Sequence, residues 1–134
     1  MSLADKKTTY GTFVNAEEWV KVLYDFSVDA GSSTDYDVLE AGDNLIVTDF
    51  YYEVLAAVTA VETSASLAVD LGVGDGGTEF LSNAASTALT LAKVDGMGTD
   101  AIVHVPSGSK IVMGVEGTDI TAGKIAFNFK VKKV

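Results

Sequence analysis

"KIAFNFKVKK", residues 124–133, alternates without a break: Ile125, Phe127, Phe129 and Val131 fall on one side, Lys124, Asn128, Lys130 and Lys132 on the other. Apolar residues with period two mark a half-buried β-strand, because successive side chains of a pleated chain point to opposite faces. The same period recurs outward from this stretch. "WVKVLYDFSV" (19–28) groups Val20, Val22, Tyr24, Phe26 and Val28 against Lys21, Asp25 and Ser27. "ASLAVDL" (65–71) groups Ala65, Leu67, Val69 and Leu71 against Ser66, Ala68 and Asp70. "LIVTDFYYEVLAAV" (45–58) is apolar on both faces and reads as a central strand, with Asp49 and Glu53 turned to solvent.

The separators carry turn chemistry. "EAGDN" (40–44) and "TAG" (121–123) place glycine where positive φ costs little. "VPSGSK" (105–110) sets Pro106 and Gly108 between "AIVHV" and "KIVMGV", which predicts a hairpin with a four-residue connection. In "LSNAASTALTLAK" (81–93), Leu81, Ala85, Ala88, Leu89 and Ala92 fall at helical spacing with Ser82 as a cap, although the Ser and Thr content suits an irregular loop equally. The pattern as a whole predicts an all-β, antiparallel β-sandwich with at most one short helix. It occupies one domain over 1–134, with 1–15 as an extended N-terminal arm. The predicted core includes Val22, Tyr24, Phe26, Phe50, Leu67, Val69, Phe127 and Phe129.

Composition narrows the function. The 134 residues include no cysteine, which removes disulfides, thiol nucleophiles and the usual structural zinc sites. The net charge is −10, and the segment from Val22 to Ala92 holds twelve acids and no lysine. All nine basic residues are Lys. An acidic chain without Arg lacks the fork that recognises phosphates and bases, so nucleic acid is not an expected partner. No apolar run reaches the roughly 18 residues of a membrane span, and "MSLADKKTTYGTF" (1–13) has no apolar signal core.

Four stretches raise the question of chemistry. Gly72, Gly74 and Gly77 of "LGVGDGG" match G-x-G-x-x-G, with Asp95 at about the spacing of a ribose-binding acid. The dinucleotide fingerprint needs a βαβ setting, however, and here the glycines sit mid-chain among alternating strands, so a turn is expected. Asp70, Asp75 and Glu79 offer calcium ligands, but glycine stands at the third and fifth loop positions and Leu81 at the twelfth, against the EF-hand pattern. His104, the single histidine, has no serine in a nucleophile elbow to serve. Trp19 with Tyr51 and Tyr52 offers an aromatic platform, against which sheet packing is expected to bury at least two of the three. Neither a catalytic residue nor a cofactor is expected.

"YDVLEAGDNLIVTDFYYEVLAAV" (36–58), "SLAVDLGVGDGGTEFLS" (66–82) and "DITAGKIAFNFKVKKV" (119–134) together resemble the small virion structural proteins of tailed bacteriophages, the accessory head and tail proteins. The resemblance covers about half of the chain, in order. It implies a jelly-roll-like sandwich, no catalytic residues, and a head decoration, fibre or tail accessory subunit in the virion, assembled in the host cytoplasm beside other virion proteins. It makes "LGVGDGG" the turn that leaves a sandwich strand. A carbohydrate- or ligand-binding β-sandwich module is the alternative from another class.

Self-association follows from the two-faced stretch. Leu45, Val47, Tyr51 and Leu55 share one parity, and Ile46, Phe50, Tyr52 and Val54 the other. A sandwich covers one face, so the first set is expected to form a homo-oligomer interface. A trimer is the number that the phage resemblance implies.

Overall fold

Alternation produces strands throughout the computed structural model, which describes residues 8–10, 17–29, 31, 32, 34–60, 67–84, 89, 94–96 and 102–134. The strands are β1 (Thr8–Tyr10), β2 (Glu17–Asp25), β3 (Asp35–Ala41), β4 (Leu45–Ala60), β5 (Ala68–Val73), β6 (Leu81–Ala84), β7 (Val94–Gly96), β8 (Val103–Val105), β9 (Lys110–Glu116) and β10 (Ile120–Lys133). They form two sheets. The first runs β1-β3-β9-β5-β6; the second runs β2-β10-β4-β7, with β8 also on β4. Pairing is antiparallel except for the three residues of β1, which lie parallel to β3. This is an all-β sandwich.

The core lies between the sheets and contains all eight residues expected there. Its centre is aromatic. Phe50, Phe80 and Phe129 stand 5.0–5.3 Å apart between centroids, with tilted and edge-to-face rings. Burying each such side chain contributes about 1.5–3 kcal/mol through removal of apolar surface from water.

Several local expectations change. "TAG" does not separate strands: it lies inside β10, where the register against β4 shifts. Gly123 has φ +132°, and a Cβ there would meet Val58 Cα at 2.8 Å, so glycine permits the close crossing of two backbones. Pro106–Ser109 is the expected four-residue turn, closed by Ser109 N–H on Pro106 O at 2.9 Å. It does not make a hairpin, because β8 belongs to the second sheet and β9 to the first. The reason is its docking: Gly108 N–H donates to Ala41 O and Ser107 N–H to Asn44 Oδ1, which stacks this turn on the β3–β4 turn and carries both connections across the sandwich. Val28 is exposed, since β2 ends at Asp25 and residues 25–29 form a turn closed by Asp29 N–H on Asp25 O. Leu81 starts a strand rather than a helix. Ala85, Ala88 and Ala92 of that expected helix lie outside the described residues, as do most of 1–15.

The parity of "LIVTDFYYEVLAAV" also breaks. Lys130 pairs with Asp49 and Val131 with Val47, so Thr48 is an extra residue in β4. Beyond such a bulge the inward positions shift by one. Leu45 and Val47 therefore point into the core together with Phe50, Tyr52 and Val54, and both are 0% exposed. Of the four expected interface residues, only Tyr51 and Leu55 face outward and exposed.

Tyr24 carries a testable oddity. Its ring packs on Phe26 and Tyr36, and its Oη, buried, has no hydrogen-bond partner among the described residues. Burial first, then the neighbouring Tyr36 and Asp29, pushes its ionisation far above the ordinary tyrosine range. Removing an unsatisfied buried hydroxyl costs nothing in hydrogen bonding and relieves desolvation. Tyr24→Phe is expected to leave stability unchanged or raise it by about 1 kcal/mol, read from the urea midpoint at constant slope. A loss of more than that would show a partner for the hydroxyl.

Candidate functional site

The glycine stretch is the β5–β6 turn. Gly74 and Gly76 sit at φ +76° and +78°. Gly77 N–H donates to Gly74 O at 3.1 Å, and Phe80 N–H to Leu71 O at 2.8 Å. The Glu79 carboxylate folds back over Gly72 and accepts Val73 N–H at 3.0 Å. An anion-binding loop presents free N–H groups to its ligand; here Glu79 takes the N–H of Val73, and Gly74 N–H donates to Lys110 O at 2.9 Å. No helix follows, since Leu81–Ala84 is a strand. Millimolar NAD or ATP is therefore expected to leave the melting temperature unchanged. Bound ligand at 100 times its Kd would add about 2.7 kcal/mol of stability, so a clear upward shift would contradict this reading.

The calcium candidates part company. Asp70 is buried on β5, Asp75 is exposed at the turn tip, and Glu79 is engaged with Val73. Among the described residues no three His, Asp or Glu side chains converge as a metal site. His104 lies exposed on β8 opposite Ile46 and shares its outward side with Ile102. Asp35 and Asp37 lie on the outer face of the first sheet, where Asp37 pairs with Lys110 at 3.0 Å.

A different surface gathers side chains of consequence: the outer face of the second sheet. Across β2, β10 and β4 the register sets Trp19, Lys130 and Asp49 in one row. Lys21, Asn128 and Tyr51 form the next, and Leu23, Ala126 and Glu53 the one after. Trp19 and Tyr51 reach across the central strand and touch edge to face, 5.4 Å between centroids at 67°. Lys130 Nζ stands 6.0 Å above the Trp19 ring and 3.7 Å from Glu17. Thr48, the bulged residue, donates its hydroxyl to Glu17 at 2.7 Å. That hydrogen bond first, then the charges of Lys130 and Lys132, holds the Glu17 carboxyl below the usual carboxylate range. Its contribution is accordingly present at neutral pH and lost as acid protonates Glu17.

Trp19 is 48% exposed and Tyr51 36%, whereas Tyr52 is buried. Sheet packing thus takes one of the three aromatic residues rather than two. Between the raised side chains of β2 and β4, Ala126 and Asn128 are sunken and buried, although both point outward by register. The result is an aromatic cluster, Trp19 on Tyr51, that stands with Leu23 above the central strand. This face was legible in part: Trp19 and Leu23 share the parity of Lys21 and Asp25, the polar side of β2.

No family model and no curated protein matches the sequence. Solved structures match its fold. A chain in the capsid of Ralstonia phage GP4 superposes with a TM-score of 0.64 at 12% identity, covering 98% of this chain and 94% of that one. A chain in the acid-stable capsid of Helicobacter pylori bacteriophage KHP30 gives 0.54 at 14% identity, covering 89% of each. One in the capsid asymmetric unit of cyanophage Pam1 gives 0.50 at 18%, covering 90% and 88%. At these identities the likeness establishes a shared fold.

Proposed function

We propose that this chain is a non-enzymatic structural protein of a bacteriophage virion, a small subunit that sits on the head and associates with itself and with other virion proteins. The observation that carries the reading is the extent of the fold likeness. Three phage capsids each contain a chain whose length is covered to between 88% and 94%, so the shared unit is the whole small chain on both sides. The sequence resemblance to accessory head and tail proteins points the same way, and the capsid setting favours head over tail. The described site geometry supports this role: it offers an exposed aromatic face of the kind used in protein contacts. Mass spectrometry of the purified particle, with electron microscopy to place the subunit, tests the proposal. Finding the chain in infected-cell lysate but not in washed particles would refute it.

Exposure of Trp19 beside Tyr51 favours a second reading, a carbohydrate-binding module. The 67° angle weakens it, because a sugar ring stacks best on a flat aromatic surface and Lys130 already stands over Trp19. Titrating soluble oligosaccharides against Trp19 fluorescence separates the two: saturable quenching supports the module.

A further inference from the structure

We propose that the outer face of the second sheet, around Trp19 and Tyr51, is the contact by which one copy of this chain binds another. This deepens the self-assembly part of the reading above and rests on it. Four of the seven exposed large apolar side chains among the described residues lie here: Trp19, Leu23, Tyr51 and Leu55. By register Lys21 and Glu53 are interleaved with them, and exposed aromatic residues set among charged groups are the usual anchors of a protein contact.

Charge selects the occupant. Each copy carries −10, so two copies repel unless the meeting surfaces are themselves nearly neutral. By register, the outer face of β2, β10 and β4 holds four carboxylates (Glu17, Asp25, Asp49, Glu53) and four lysines (Lys21, Lys124, Lys130, Lys132), a net of zero. The outer face of β3, β9 and β5 holds Asp35, Asp37, Glu40, Asp70 and Glu116 against Lys110 alone, a net of −4. Lys130 and Lys124 are moreover held by Glu17 and Asp25 of their own chain, each at 3.7 Å, so this face presents no surplus positive charge that would call for an acidic partner. A neutral face with exposed aromatic side chains on an otherwise acidic molecule suits a second copy, and the default arrangement is a closed symmetric contact.

Trp19 is the single tryptophan, so its emission reports on this face alone. Concentrating the wild-type chain is expected to raise the mass by light scattering above 14.0 kDa and to shift the Trp19 emission to the blue in parallel. Added salt should strengthen both changes by screening the repulsion between acidic copies. Leu23→Lys should weaken association about tenfold or more, keeping the Trp19 emission red-shifted, with circular dichroism and melting unchanged because Leu23 is already exposed. Asp35→Asn, on the acidic face, should associate at least as well as wild type. A wild-type mass that stays monomeric at every concentration overturns the proposal, and so does Leu23→Lys that associates with the same emission shift. The virion assay is independent: a monomer still found in particles sinks this contact and leaves the virion reading standing, whereas an oligomer absent from particles does the reverse.

Discussion

Phe50→Ala is expected to lower the unfolding free energy by about 3–5 kcal/mol, a large part of what a domain of this size possesses. Phe50 is fully buried and meets Phe80 at 5.0 Å, Phe129 at 5.1 Å and Tyr52 at 6.3 Å. Its ring bridges the sheets, because Phe129 and Tyr52 belong to the second sheet while Phe80 closes the turn that leads into β6 of the first. Truncation leaves a cavity among large rings fixed by strands on both sides, so little collapse can fill it. Urea unfolding monitored by circular dichroism measures the effect. A loss below about 1 kcal/mol would mean that the three rings do not meet as described.

Gly72→Ala should be nearly as damaging, at about 3 kcal/mol, for a different reason. A Cβ at Gly72 would collide with the Gly77 carbonyl carbon and the Glu79 carboxylate, and would stand 2.5 Å from Thr78 N. Two of these three are backbone, which cannot swing aside. Gly74 provides the contrast. It stands at φ +76° with open space where a Cβ would go, so Gly74→Ala meets only the left-handed backbone penalty of about 1 kcal/mol. Melting temperatures of the two variants compare them directly, and equal losses would contradict a steric role for Gly72.

Period-two alternation made β2, β5 and β10 readable, because one face of each is packed and a slip would expose the whole apolar set. The same rule failed in β4, where the extra residue Thr48 swaps parity and carries Leu45 and Val47 into the core. A bulge has no strong residue signature: Thr48 shows itself through Glu17, 31 positions away in sequence, and through the Lys130 carbonyl, 82 away. The turn at Pro106–Ser109 was legible in length but not in destination. Pro and Gly dictate a local reversal, whereas the sheet that receives the next strand is decided by distant partners such as Asn44 and Ala41. For the candidate site, the parity of Trp19 was in the sequence, but its contact with Tyr51 needed the β2-β10-β4 order.

That order has a consequence in time. β10 comes after every other described strand in the sequence, yet it forms the middle of the second sheet, with β2 on one side and β4 on the other. During synthesis the earlier strands emerge at about 5–20 residues per second, and until β10 follows them β2 and β4 have no common neighbour. The Trp19–Tyr51 contact, made across β10, and the buried Ala126 and Asn128 of that strand come together only once β10 is present. The outer face of the second sheet is thus completed only when β10 has paired with both β2 and β4.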